Sequence, residues 1–260
     1  MRIHIDIARM MGELERLATF SDAEPPAVTR VVFTERDRDA RNYVRELCES
    51  AGLQIRSDAV GNTFARWEGA EPNLAAVATG SHIDAIPNAG KYDGTVGVLG
   101  GLEAIRALRE AGFKPRRPIE LLLFTSEEPT RFGVGCLGSR LLCGSLTPAS
   151  AALLVDGDGR SLEHVRQQAG FEGRLEDVAL EPGHYAAFVE LHIEQGPILE
   201  REGIGLGIVT DIAAPASMRI VVEGEGGHAG GMLMPDRHDA LAAAAEIILA
   251  TERAALDTKA

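Results

Sequence analysis

The chain has 260 residues and a mass of 27.7 kDa, 45% of them apolar and 25% charged. These are ordinary values for a globular protein, and they exclude a disordered tail, a collagen-like rod and a disulfide scaffold. The 39 acidic and 26 basic residues leave a formal net charge of −13, with no basic run longer than two, so a phosphate backbone is repelled and nucleic acid is not an expected partner.

The N-terminal segment mixes acids and bases with an apolar stripe at helical spacing, Ile5, Ala8, Met11, Leu14 and Leu17, and so predicts a helix rather than a signal peptide. A second helix is predicted from Thr34, whose hydroxyl can cap it, with Asp37 in the first turn and Gly52 as the stop. Buried strands are predicted at 74–80 and 119–124, a Gly-rich apolar helix at 94–112, helices at 136–143 and 161–169, and a strand at 186–194. Strands alternating with helices predict an α/β sheet with helices packed on it. Near residue 205 the texture becomes rich in Gly and Ala, with Pro215, before a fresh strand at 217–226 and an Ala-rich helix at 236–255. A domain junction is therefore expected at 205–215, giving domains 1–210 and 211–260. No apolar stretch reaches the roughly 18 residues of a membrane span, so no membrane is expected. Three cysteines, Cys48, Cys136 and Cys143, form an odd and sparse set that suits a reducing cytoplasm. Cys136 and Cys143 read as small core residues.

Four segments collect polar residues at the ends of apolar runs, where α/β sheets gather ligands. In the first, His82 follows the end of a strand, Asp84 is close enough to fix its tautomer, and Asp93 lies beyond a loop. In the second, Glu127 and Glu128 directly follow a buried strand. Like charges there are unfavourable unless a cation waits for one of them, leaving the other free as a general base. In the third, alternation along 186–194 puts Glu190, His192 and Glu194 on the face opposite Val189, Leu191 and Ile193. In the fourth, His228 sits among glycines in the second domain. Taken singly, each has a bland reading: a surface turn, an acidic helix start, a satisfied core histidine, a flexible loop. As a set, His, Asp and Glu donors suit zinc or manganese, and a bridging carboxylate suits two metals about 3.5–4 Å apart. The sequence contains no HExxH, phosphate-loop or nucleophile-elbow motif, and the spacing of Gly94, Gly97 and Gly100 suits close helix packing.

GSHIDAIPNAGKYDG, FTSEEPTRFG and ELHIEQGPILE, followed by GHAGG and RHDAL, resemble the dinuclear metal amidohydrolases of the aminoacylase type. Within them the chain is most similar to the branch of N-carbamoyl-L-amino-acid hydrolases, allantoate amidohydrolases and ureidoglycolate amidohydrolases, with SEEPTRFG and CLGSRLL nearest the last. The resemblance implies a three-layer α/β catalytic domain with a mixed, mostly parallel sheet, followed by the beginning of a smaller α+β lid domain. It implies two divalent ions, Mn2+ or Zn2+, with Asp93 bridging, His82 and His192 on one ion and Glu128 on the other. Glu127 would be the general base, Asp84 would clamp His82, and Gln195 would contact substrate. His228 would reach the site from the lid of a partner subunit, since family members are usually homodimers through that lid. The implied reaction is cleavage of a linear C–N bond in a small ureido carboxylate, with metal-bound hydroxide attacking and ammonia leaving. Ureidoglycolate is favoured, with allantoate or an N-carbamoyl-L-amino acid as alternatives. Family members are longer and supply a last histidine to the second metal from later in the chain. A fragment is therefore expected, or else a truncated, inactive remnant that acts as an interaction partner, with Ile247, Ile248 and Leu249 exposed.

Overall fold

A computed structural model of the chain describes residues 3–213 and 218–258, and the chain divides into two compact units, Met1–Ile198 and Leu199–Ala260. Pro215 of the expected junction and Ser217, the first residue of the expected fresh strand, lie outside the described residues.

In the first unit, α1 (Ile7–Ala18) starts where the Asp6 side chain accepts from the Arg9 amide, and it buries Leu14 and Leu17 from the predicted stripe. The short strand β1 (Val28–Arg30) precedes α2 (Glu35–Ser50), whose N-cap is Thr34, its hydroxyl accepting from the Asp37 amide. Next come β2 (Gln54–Ser57), β3 (Thr63–Trp67), β4 (Ala76–His82) and β5 (Ala85–Ala89). The helix α3 (Thr95–Glu110) and the strand β6 (Ile119–Phe124) then lead to α4 (Leu137–Leu142), α5 (Pro148–Ala151), α6 (Leu162–Gln168) and β7 (Tyr185–Val189).

Five strands form one sheet in the order β2-β3-β6-β4-β7, while β1 and β5 pair separately. The large sheet is mixed: β2 with β3 and β3 with β6 are antiparallel, whereas β4 lies parallel to both β6 and β7. Alternation along β3 and β6 sorts side chains into two cores. Phe64 and Leu122 join Leu137, Leu141, Leu162 and Val165 on the face covered by α4 and α6. Ala65, Leu121 and Leu123 join Leu17, Val44, Leu99 and Leu102 on the face covered by α1, α2 and α3. This is a three-layer α/β arrangement, with the middle of the sheet buried between helices and the edge strands β2 and β7 largely exposed.

Glycines let α3 lie close to the sheet. A side-chain carbon at Gly101 would come within 2.9 Å of Leu121, and one at Gly97 within 2.7 Å of the Ser81 Cβ and 2.4 Å of the Leu191 carbonyl. The second contact explains a departure from expectation. The strand expected through residue 194 ends at Val189, which is also its last pairing with β4, opposite Thr79. Beyond it the main chain meets the glycine face of α3, so His192 sits in a loop rather than on a strand.

In the second unit, after α7 (Ile198–Glu202), which crosses the division, the longest element is α8 (Ala240–Asp257), started by Asp239, whose carboxylate accepts from the Leu241 and Ala242 amides. The strand expected at 217–226 is not formed over its described part. A strand needs a neighbour to take its backbone hydrogen bonds, and the described residues of this unit include no other strand. No described residue of α8 is buried, and Ile247, Ile248 and Leu249 are exposed. Among the described residues no helix is long and apolar enough to cross a membrane.

Candidate functional site

The parallel trio β6-β4-β7 brings three carboxyl ends to one rim of the sheet. His82 is the last residue of β4 and pairs with Phe124, the last of β6. Glu127 and Glu128 follow β6, and His192 follows β7. Asp93 arrives just ahead of α3, where Gly94 is the N-cap with a φ of 65°. Gly94 is required there twice: its backbone is left-handed, and a Cβ would sit 2.4 Å from His82 Cδ2 and 2.5 Å from its Nε2.

One donor atom from each of His82, Asp93 and His192 lies within 4.8 Å of the others. His82 Nε2 is 3.8 Å and His192 Nε2 3.3 Å from Asp93 Oδ1, and His82 Nε2 is 3.6 Å from Glu127 Oε2. The two rings are stacked, with centroids 6.2 Å apart. The Nδ1 of His82 meets the Asp84 carbonyl at 2.9 Å, and the Nδ1 of His192 meets the Ile193 carbonyl at 3.0 Å. A carbonyl only accepts, so Nδ1 is the donor on each ring, and each Nε2 faces the carboxylate oxygens. Two imidazoles and a carboxylate are donors that suit zinc or manganese, so the residues present fit a divalent ion.

Asp84 is fully buried and does more than hold His82. Its carbonyl holds the ring, while its carboxylate lies 3.7 Å from Nδ1 and accepts from the Glu127 amide at 3.2 Å and the Glu128 amide at 3.0 Å. The expected carboxylate clamp is thus made by the main chain. Burial pushes the Asp84 carboxyl up to about 6, against the pull of His82. Burial, and then repulsion from Glu127, push the Glu128 carboxyl up to about 7. Glu128 is not one of the three clustered donors. Gln195 reaches the site by donating from Nε2 to Asp93 Oδ2 at 2.8 Å, on a backbone with φ 55°. His228 belongs to the second unit. There it is exposed, its Nδ1 accepts from the Gly230 amide at 3.1 Å, and it lines a cavity of about 460 Å³ with Glu225, Arg237 and His238.

A model of Peptidase family M20/M25/M40 matches residues 78–259. The chain belongs to this family. Among M20 relatives, the ureidoglycolate hydrolase of Arabidopsis thaliana is 55% identical over 99% of this chain and 55% of its own length. That of Oryza sativa subsp. japonica is 54% identical over 98% of this chain and 54% of its own. A solved structure described as AtUAH in complex with glyoxylate matches with a TM-score of 0.87 at 53% identity, covering 99% of this chain and 62% of that one. The M20 chain thus spans about half the length of the curated relatives it matches. Those relatives are named hydrolases, and nothing in the likeness supports an inactive remnant.

Several residues around the candidate site carried no readable signal. Cys136, expected as a core residue, points its thiol at Glu127 Oε1, 3.2 Å away. Asn62 is buried, accepts from the Thr125 amide at 2.9 Å and donates to the Gly138 carbonyl at 3.2 Å, which ties down the loop after β6. Ser81 donates to Glu190 at 2.6 Å, linking the segments that hold His82 and His192. Their partners are 9 to 109 residues away, beyond any local pattern.

Proposed function

We propose that the chain is the metal-binding part of an amidohydrolase that cleaves a linear C–N bond in a small ureido carboxylate, ureidoglycolate, and releases ammonia. The observation that carries this reading is Glu127 Oε2, 3.6 Å from the Nε2 of His82 at the edge of the His82–Asp93–His192 cluster. A carboxylate beside three residues able to hold a metal supports a general base at that position. The 55% identity to a ureidoglycolate hydrolase favours this ureide over allantoate or an N-carbamoyl-L-amino acid.

In this reading His82, Asp93 and His192 would hold one divalent ion, and Asp93 with Glu128 would hold a second. When bound, the ions supply Lewis acidity that polarises the ureido carbonyl and makes a water more acidic. Glu127 takes a proton from the attacking water as its oxygen joins the carbonyl carbon. It then delivers that proton to the terminal nitrogen as the C–N bond breaks, so that ammonia leaves and carbon dioxide can follow. Asp84 holds the amides of Glu127 and Glu128 and the ring of His82 in one frame. Gln195 is read as a substrate contact. The first unit is read as catalytic and the second as a lid that pairs in a homodimer and brings His228 to the partner's substrate. Three free cysteines suit a cytoplasmic setting.

The test is ammonia release from ureidoglycolate, allantoate and N-carbamoyl-amino acids, before and after chelation. Chelation is expected to abolish release, and Mn2+ or Zn2+ to restore it. Glu127→Gln is expected to lower turnover by about 10²–10⁴-fold with metal still bound. Full activity of that variant would overturn the assignment of the base.

A further inference from the structure

Main-chain bonds fasten the loop that carries Glu127. The amides of Cys136, Leu137 and Gly138 donate to the carbonyls of Glu127, Ser126 and Thr125 at 2.7, 2.9 and 2.9 Å. These bonds fix the backbone and leave the side chain free to turn. Glu127 is 36% exposed at its side chain, so water alone would let the carboxylate swing among rotamers. The thiol of Cys136 meets Oε1 at 3.2 Å, while Oε2 stays 3.6 Å from His82 Nε2.

Cys136 holds a backbone that suits glycine or asparagine better, with φ 55° and ψ 31° at the N-cap of α4, and its side chain makes no capping bond to that helix. The left-handed turn aims the thiol at Glu127 instead. We propose that Cys136 is a positioning residue whose S–H holds the Glu127 carboxylate with Oε2 facing the His82–Asp93–His192 cluster. The proposal rests on the reading of Glu127 as the base. Burial, with the neighbouring Glu127, pushes the Cys136 thiol up to about 11, so it remains an S–H donor at neutral pH.

The test has one arm that needs activity and one that does not. In the first, Cys136→Ala and Cys136→Ser are assayed for ammonia release. Cys136→Ala is expected to lower kcat by about tenfold or more with KM within about twofold, as a misplaced base does. Cys136→Ser, which keeps a donor at the same place, is expected to recover most of the loss. In the second, iodoacetamide labelling is followed cysteine by cysteine in the wild type and in Glu127→Gln. Removing the facing charge is expected to speed labelling of Cys136 several-fold and to leave the exposed Cys143 unchanged. An unchanged kcat in Cys136→Ala, a loss that serine does not repair, or unchanged labelling of Cys136 would each overturn the proposal. If the wild type hydrolyses none of the ureides, the functional reading fails. The labelling comparison then still decides for or against the thiol–carboxylate contact.

Discussion

Asp84 serves two neighbours with different atoms: its carbonyl holds His82, and its two carboxylate oxygens hold the amides of Glu127 and Glu128. Asp84→Asn keeps the carbonyl and one acceptor oxygen but turns an NH2 toward one of those amides. An orphaned buried amide costs about 1–3 kcal/mol, and a support removed from behind metal donors typically lowers metal affinity about 10–100-fold. We therefore expect a lower thermal midpoint and weaker Mn2+ binding by calorimetric titration. Wild-type values for both would show that the carboxylate does not set the loop. The residue types of this site were legible, because a histidine at a strand end with an acid two residues on is a chemical pattern. Which atom of Asp84 meets which neighbour was not, since backbone and side chain are equally near in sequence.

At the level of elements, the two best examples are opposite in kind. Strand β6 was readable to the residue because a strand buried on both faces is a mostly apolar run, and IELLLF is apolar apart from Glu120. Strands β2 and β3 were not read, being short and carrying polar residues such as Gln54, Arg56 and Arg66, one of which (Arg66) is held by Glu120 across the sheet. The glycines of α3 divide in the same way. Helical spacing reveals a close approach, but not what approaches. Replacing glycine by alanine inside a helix gains about 1 kcal/mol of propensity. At Gly12 in α1, where nothing lies within 4 Å of the new carbon, that gain should appear as a higher urea midpoint. At Gly97 the same carbon would lie 2.4 Å from the Leu191 carbonyl and 2.7 Å from the Ser81 Cβ. Overpacking of this kind costs about 1–3 kcal/mol and outweighs the propensity. Gly97→Ala is expected to lower the midpoint and, by moving the neighbour of His192, to weaken metal binding. A stabilised Gly97→Ala protein would contradict the packing described here.

For the whole molecule, the acidic rim couples stability to pH and, under the proposed function, to metal. The Glu128 carboxyl is raised to about 7 by burial and by Glu127, and the Asp84 carboxyl to about 6 by burial. A raised carboxyl means that the folded state holds its proton more tightly than the unfolded chain. The associated stability is full below the ordinary carboxylate range and is lost as pH rises through about 7. After chelation, the thermal midpoint should therefore fall between about pH 5 and pH 8 through these groups. A divalent ion held by the ionised carboxylates would add stability by mass action. The rise in midpoint on adding metal is then expected to be larger near pH 8 than near pH 5, as read by scanning calorimetry at matched free metal. An equal or smaller rise near pH 8 would mean that the rim carboxylates do not face the ion.

By itself, the sequence determined the helices with capped, striped patterns, the long buried strands, the α/β alternation and the residue types able to hold a metal. Those features depend on neighbours a few residues apart, which is the range over which backbone geometry and burial act. Only the tertiary structure decided that His82, Asp93, Glu127 and His192 meet at one rim, that Asp84 works through both backbone and side chain, and that Cys136 faces Glu127. Those contacts depend on the parallel order β6-β4-β7 and on the glycine face of α3. Strand order is chosen by the packing of the entire sheet between its two helical layers, a sum over many distant contacts that no local pattern records.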